Sequence, residues 1–364
     1  MDNRRVYRTI RLAMKQLFPI EPKGDLSRKL TTLAAMVSGI VLARSCQLPA
    51  IARKTPDLAK ADSRIKRYSR WVQNERVEYE GFYLPFVREL LAHLAAIREL
   101  VFVIDGSEVG HECITLMISL IYGKRALPIT WLVVKGRKGH LSERVHLDLL
   151  TQLQAILPPD CQMVFLGDGE FDGIELQAAL QTKGWHYVCR AAKNTQLYED
   201  GRLFAFEDLF LRVGDQICIP QVWFTKEGYG PVMVIARWEC GFIHPIYLVT
   251  NFELPDEAVA GYKKRFQIET FFSDEKSRGF FLNKSHLSDP QRLSNLMIAA
   301  CLAYLWIVYL GYIAIRDNWI KVIHRSDRCD WSVFRLGLAL LDHFLNELLP
   351  IPASFNLLEK NCVR

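Results

Sequence analysis

Two aspartates stand where apolar, strand-like runs end. VFVIDGS carries Asp105 and VFLGDGEFD carries Asp168. Well downstream, a helical stretch holds Tyr262, Arg265, Glu269 and Lys276, spaced Y-x2-R-x3-E-x6-K. At about 100° per residue these four fall at about 0°, −60°, −20° and −40°, a single narrow stripe. Ile268, Phe271 and Phe272 point elsewhere, toward a core. One carboxylate flanked by two cationic side chains and a phenol suits a metal-bound phosphodiester. A solvated, salt-bridged helix face would use the same residue types. Carboxylates gathered at a sheet edge can hold a divalent metal, although strand-end aspartates also cap loops. Glu108, Glu170 and Asp172 lie near enough to compete, and spacing does not choose among them.

The elements that must position these groups follow from periodicity. LVFVIDGSEV (100–109), CITLMISLIYG (113–123) and LPITWLVVKG (127–136) read as three strands. SERVHLDLLTQLQAIL (142–157) has helical period and stops at Pro158-Pro159. QMVFLGDGEF (162–171) is a fourth strand, GIELQAALQTKG (173–184) a helix closed by Gly184, and WHYVCRAAK (185–193) a fifth strand. The order β-β-β-α-β-α-β predicts an α/β unit with an antiparallel start and a parallel continuation. If strands one and four are adjacent and parallel, Asp105 and Asp168 reach the same sheet edge, where α/β folds place their ligands. Residues 196–250 break into short strand-like runs with glycine turns, a β-rich insertion holding Trp223 and Trp238, which are assigned to packing. The span 253–281 then reads as one strong helix, with Asp256 and Glu257 in its first turn.

Composition narrows the class. The chain has 364 residues, 50% apolar and 24% charged, which excludes a mostly disordered protein. Nine scattered cysteines without a C-x-x-C pair argue against a disulfide scaffold or structural zinc and for a reducing compartment. His140 and His146 lack metal-ligand spacing and are assigned to structure or DNA contact. The N-terminus has no apolar core of signal-peptide length. LMIAACLAYLWIVYLGYIAI (296–315) has no charge over twenty residues and no second segment like it; a buried core helix is expected, a membrane anchor being the rival.

Net charge is +6, unevenly spread. Residues 1–76 hold 17 Lys+Arg against 6 Asp+Glu, a balance of +11, and the remainder holds 29 against 34, a balance of −5. A basic module at one end is the electrostatic footprint of a phosphate-binding surface. LTTLAAMVSGIVLARS (30–45) and SRIKRYSRWVQNERV (63–77) are helical, with a break between them, which suggests a helix-turn-helix. The second puts Arg64, Lys66, Arg67 and Arg70 forward as DNA-contacting residues.

Taken together, Asp105, Asp168 and the Y-R-E-K string resemble the DDE transposases of bacterial insertion sequences that carry this signature. In that family the first Asp ends the first strand, the second ends the fourth, and the Glu lies on a helix after a β-rich insertion. The resemblance runs from about residue 30 to about 340 and includes WHYVCRAAKN and HRSDRCDWSVFRLG. It selects Asp105, Asp168 and Glu269 as catalytic and metal-binding residues, and Tyr262, Arg265 and Lys276 as DNA-binding ones. It implies an α/β fold with a ribonuclease-H-like core at 96–195 and 251–316, split by an insertion at 196–250. A helical DNA-binding domain at 1–95 would precede it and a helical region at 317–364 follow. Two Mg²⁺ ions are implied, with Mn²⁺ able to substitute. So are double-stranded DNA partners, both terminal inverted repeats and target, and a homodimer in a synaptic complex, with no membrane. The expected activity is strand cleavage, hairpin formation and strand transfer in a bacterial cytoplasm, associated with the nucleoid. The alternative is a catalytically inactive DNA-binding derivative or regulator, against which the intact residues argue.

Overall fold

In the computed structural model the described residues are 2–18, 21–136, 139, 141–325 and 328–355. His140, Cys362, and residues 326 and 327 of the HRSDRCDWSVFRLG run lie outside them, as does the end of the expected 317–364 region. Six helices open the chain: α1 (Asp2–Gln16), α2 (Gly24–Ala43), α3 (Leu48–Lys54), α4 (Ala61–Val72), α5 (Tyr79–Phe82) and α6 (Leu84–Ala95). Three strands follow, β1 (Leu100–Gly110), β2 (Cys113–Tyr122) and β3 (Arg125–Lys135). Next come α7 (Glu143–Gln154), β4 (Met163–Gly167), α8 (Ile174–Thr182) and β5 (His186–Arg190). The insertion supplies β6 (Gln196–Glu199), β7 (Arg202–Ala205), β8 (Gln216–Phe224), β9 (Tyr229–Arg237) and β10 (Ile246–Thr250). The chain closes with α9 (Pro255–Lys263), α10 (Gln267–Ser273), α11 (Pro290–Arg316), α12 (Ile320–Ile323) and α13 (Val333–Asn346).

All ten strands form one sheet, ordered β3-β2-β1-β4-β5-β10-β9-β8-β6-β7. β1 pairs antiparallel with β2 and parallel with β4, and β4 pairs parallel with β5. That is the antiparallel start and parallel continuation expected from the strand order. The central strands are buried along almost their whole length, which is why they read as continuous apolar runs rather than alternating ones. The insertion does not stand apart from this unit. β10 pairs with β5, so the core sheet continues straight into it.

The sequence reading of one helix over 253–281 needs correction. The stretch breaks into α9, a 3₁₀ turn at Lys264–Phe266, α10 and a π-turn at Asp274–Arg278. The π-turn buries Asp274 against Arg125 at the start of β3, with N–H···O at 2.6 Å. It ends at Gly279, where a Cβ would lie 2.7 Å from the Phe334 ring. An ion pair and a close approach therefore set the local winding, and neither is visible in helical periodicity.

α11 contains the expected buried helix, packed among α2, α4, α13 and β3. It is not the only such segment: α2 is also long and apolar enough to cross a membrane by length and composition. Both are buried because they lean on each other. α13 crosses α11 closely, and a Cβ on Gly337 would run into the Ile307 carbonyl oxygen. The first 95 residues share this same core. Asn295 of α11 donates to the Val72 carbonyl at 2.9 Å, and the rings of Tyr79 and Tyr83 meet Trp131 of β3 edge-on. The break expected between the helices at 30–45 and 63–77 holds a further helix, α3, which packs against both α2 and α4. The Tyr68 hydroxyl donates to Thr55 Oγ1 at 2.7 Å across the turn, and α2 crosses α3 so closely that a Cβ on Gly39 would lie 2.6 Å from Ile51 Cγ2.

Candidate active site

The parallel register builds the site. Val103 sits opposite Leu166 in the β1–β4 pair; carried two residues on, this places Asp168 beside Asp105. Gly167 sits opposite Cys189 in the β4–β5 pair, so the next step places Arg190 beside Asp168. Neighbouring strands lie about 4.8 Å apart, and in-register residues face the same way. Asp105 does not end its strand as expected: β1 runs on to Gly110 because its ladder with β2 continues past the end of β4. Asp105 therefore lies within β1, level with Asp168 just past β4 and with Arg190 at the end of β5, on the face that carries Leu166. α9 covers that face: a Cβ on Gly261 would touch Leu166 Cδ2 at 3.8 Å.

Asp105 is buried, and its Oδ1 accepts from the Gly106 amide at 2.7 Å. Asp168 is half-buried, and its Oδ1 accepts from the Glu170 amide at 3.0 Å, an Asx-type turn that fixes the loop leaving β4. Of the competing acids, Glu170 reaches β1 on the face opposite Asp105, its Oε2 lying 3.9 Å from where a Cβ on Gly106 would stand. Glu108 is exposed further along β1. Asp172 is raised to about 6 by burial, with Glu143 and Asp168 adding negative charge nearby.

Tyr262 is buried at the end of α9. Burial raises its pKa, the cations Arg265 and Arg190 pull it back, and the Asp168 carboxylate raises it further. The phenol thus senses the carboxylates and keeps its proton. Arg265, in the 3₁₀ turn, is buried over the rings of Tyr262 (5.8 Å) and Phe266 (4.9 Å). Its Nη2 donates to Glu269 Oε1 at 3.3 Å, and its buried Nε has no hydrogen-bond partner. Glu269, by contrast, is largely exposed on α10. Lys276 lies within the π-turn, its ammonium over the Phe272 ring at 5.9 Å. The structure thus joins Tyr262, Arg265 and Glu269 into one chain of contacts and sets Lys276 over Phe272.

Among the described residues no three His, Cys, Asp or Glu side chains are close enough together to hold a metal ion. The donor set still fits a hard divalent cation: two oxygen-only side chains share a register step, and the exposed Glu269 carboxylate is tied by one ion pair, to the buried Arg265. Asp105 and Asp168 would hold it, and Glu269 would join them by leaving Arg265.

A cavity of about 440 Å³ opens beside this group, walled by Arg190, Tyr262, Arg265, Phe266 and Phe242. The two tryptophans assigned to packing need separate treatment. Trp223 is 42% exposed on β8, paired with Tyr198 on the distal part of the sheet, so it is not core. Trp238 donates from Nε1 to the Phe242 carbonyl at 2.9 Å and so shapes the loop that brings Phe242 to the cavity. His146 is buried against Phe171, at 4.7 Å between rings, and burial lowers its pKa to about 4, in keeping with a structural role.

Among the basic residues of α4, Arg64 donates to the Asp57 carbonyl at 2.8 Å and Arg67 to the Asp57 carboxylate at 2.6 Å. Lys66 and Arg70 are exposed. Sequence reasoning named Glu170 only as a competing acid, and missed Arg190 and Phe242. Only Arg190 left a signal, as the cation one residue past Cys189 in a strand expected to neighbour the fourth.

Residues 98–306 match the family model described as a transposase DDE domain. No curated protein matches the sequence. Among solved structures, the chain is similar to one described as a piggyBac transposase synaptic complex with hairpin DNA. Identity is 13% and the TM-score 0.47, over 100% of this chain and 82% of that one.

Proposed function

The chain belongs to the transposases with a DDE domain, and from that premise we propose that it cuts and pastes DNA with Asp105, Asp168 and Glu269 as its catalytic carboxylates. We assign it to the bacterial insertion-sequence enzymes with the Y-R-E-K signature, acting on terminal inverted repeats as a homodimer in the cytoplasm. The observation that supports this reading is the alignment of Asp105 in β1 with Asp168 just past the parallel strand β4, beneath the α9 to α10 segment that carries Tyr262, Arg265 and Glu269. We read β1 to β5 with α7 to α11 as a ribonuclease-H-like core, the β6–β10 strands as its insertion, residues 1–95 as the DNA-binding region and 317–364 as a C-terminal helical region.

Asp105, Asp168 and Glu269 would hold a divalent cation, Mg²⁺ or Mn²⁺, which would supply activation of a water or 3′-hydroxyl and charge neutralisation at the leaving oxygen. The chain's own residues supply the rest. Arg265 presents a planar fork to a phosphate, and Tyr262, still protonated, donates one hydrogen bond. Arg190 adds a second cation on the same wall. Hairpin formation bends the two strands at the transposon end and favours an unstacked base. Phe242 and Phe266 give the 440 Å³ cavity aromatic walls that suit such a base. Lys66 and Arg70 on α4 would neutralise phosphates of the end, fixing position rather than sequence.

Strand cleavage of the DNA flanking this gene, with Mg²⁺ and full-length protein, tests the reading. Asp105→Asn and Asp168→Asn should each bind ends and leave them uncut. Cutting by either variant at the wild-type rate removes that residue from the site.

A further inference from the structure

The residue that follows Glu269 reaches a second cavity. Thr270, the next residue of α10, lines an open cleft of about 740 Å³ between the π-turn and the start of α13. Tyr262, Arg265 and Phe266, on the preceding turns, line the other cavity instead. Four arginines face the cleft, and its acids are already matched. Arg44 pairs with Asp342, and Arg125 with Asp274 at 2.6 Å. Asp330 is held by His324 at 2.8 Å and Arg325 at 3.2 Å. Arg278 and Arg335 form no direct ion pair among the described residues, although the Arg278 charge also acts on Asp274, and both are exposed. The Arg335 guanidinium is braced on the Trp331 ring at 4.3 Å, and His324 stacks on the same ring at 4.1 Å. Two surplus guanidinium forks, one of them fixed in orientation, are built to take an oxyanion bidentately.

We propose that this cleft seats the phosphodiester backbone of DNA on the side of the scissile bond away from Tyr262, with Arg278 and Arg335 each gripping one phosphate. The inference rests on the transposase reading and extends its site to a second DNA segment. The same chemistry serves the flank before cleavage and the target after it. The surplus charge supports the assignment, since the cleft's other cations are occupied: Arg44 ties the end of α2 to α13 and Arg125 ties β3 to the π-turn. So does position, because DNA leaving Glu269 on the Thr270 side meets these two residues.

The test uses full-length Arg278→Gln/Arg335→Gln protein and duplexes from the gene's own flanks. Loss of two phosphate contacts should flatten the dependence of log binding constant on log salt by about 2 for a flank-bearing duplex, or for plasmid target added to the flush-end complex. It should leave flush-end binding alone unchanged. Nicking of the flank-bearing end, or strand transfer from a pre-cut end into plasmid, should slow by about tenfold or more, as expected when charge-assisted bonds are lost. Slower nicking alone identifies the flank, slower transfer alone the target, and slowing of both a shared channel. Arg278→Lys/Arg335→Lys should recover the salt slope and only part of the rate, because ammonium keeps the charge without the fork. If the double variant perturbs α13, Arg278→Gln alone should flatten the slope by about 1. An unchanged slope and unchanged rates for both segments would overturn the proposal. Wild-type protein that neither nicks nor joins would refute the transposase reading instead, and the slope would still decide the cleft.

Discussion

Replacing Arg265 with alanine should separate the first nick from hairpin formation. The guanidinium is 8% exposed, yet little in the folded chain rewards its burial. Its ion pair with the exposed Glu269 contributes about 0–1 kcal/mol. Stacking over Tyr262 and Phe266 adds about 0.5–1 kcal/mol each. Against this, the buried Nε without a partner costs about 1–3 kcal/mol. These nearly cancel, so Arg265→Ala should melt within a few degrees of wild type. The side chain is held ready for something the chain itself does not contain, and a bent phosphate beside the carboxylates fits. A hydrogen bond to a charged group contributes about 1.5–3 kcal/mol, a rate factor of about 10 to 150. If that contact forms only when the end is bent, the hairpin step should slow by this factor while the first nick keeps most of its rate. Glu269→Gln should stop both steps. A denaturing gel with one labelled end resolves nick from hairpin in time. Equal slowing of the two steps would refute a hairpin-specific role, and wild-type kinetics would reduce the residue to packing.

Three further outcomes are expected. Burial of Glu275 raises its carboxyl to about 8, so the folded chain keeps a proton that the unfolded chain releases near 4.5. Stability should therefore fall as pH rises between about 4.5 and 8 and then level off, with Asp274, raised to about 6 by burial, adding to the lower part. The melting temperature should drop between pH 6.5 and 9, and Glu275→Gln should flatten that drop; parallel curves would sink the assignment. Lys66→Ala and Arg70→Ala should weaken end binding evenly across sequences and lower the salt slope by about 1 each, whereas Arg64→Ala and Arg67→Ala, whose side chains are tied to Asp57, should change it less. Gly337→Ala, which drives a methyl into the Ile307 carbonyl, should destabilise by about 1–3 kcal/mol in denaturant unfolding, and wild-type stability would mean that α13 can slide on α11.

The core strands were legible because burial on both faces leaves no other residues possible. VFVID and MVFLGD are apolar to their last position, and their order dictates which strands lie side by side. From that order alone Asp105 and Asp168 could be brought to one edge, and the β1–β4 register, extended two residues past its last pair, brings them level, with Asp105 inside β1 rather than at its end. The Tyr262-to-Lys276 stripe was half legible. Its α9 and α10 parts keep Arg265 in reach of both Tyr262 and Glu269, but the arithmetic assumed 100° per residue throughout. A 3₁₀ turn and a π-turn do not keep that step, and Lys276 comes to lie over Phe272, a residue read as facing elsewhere.

What periodicity could not reach was long-range. Arg125 and Asp274 are 149 residues apart in the chain, and their buried pairing determines both the π-turn and one wall of the Thr270 cleft. Nothing local to either residue announces the other. The N-terminal segment fails in the same way. Its charge marks it as a module, but α2 is apolar on more than one side because it must also cover α11, so the 95-residue segment does not own its core. A charge count sees the surface of α4, where Lys66 and Arg70 remain exposed, and misses the internal ties through Asp57 that occupy its other two arginines. The same distinction separates the arginines of the cleft: Arg44 and Arg125 hold elements together, while Arg278 and Arg335 have charge left for a ligand. Composition counts four cations there, and only the pairing found in the fold says that two are available to DNA.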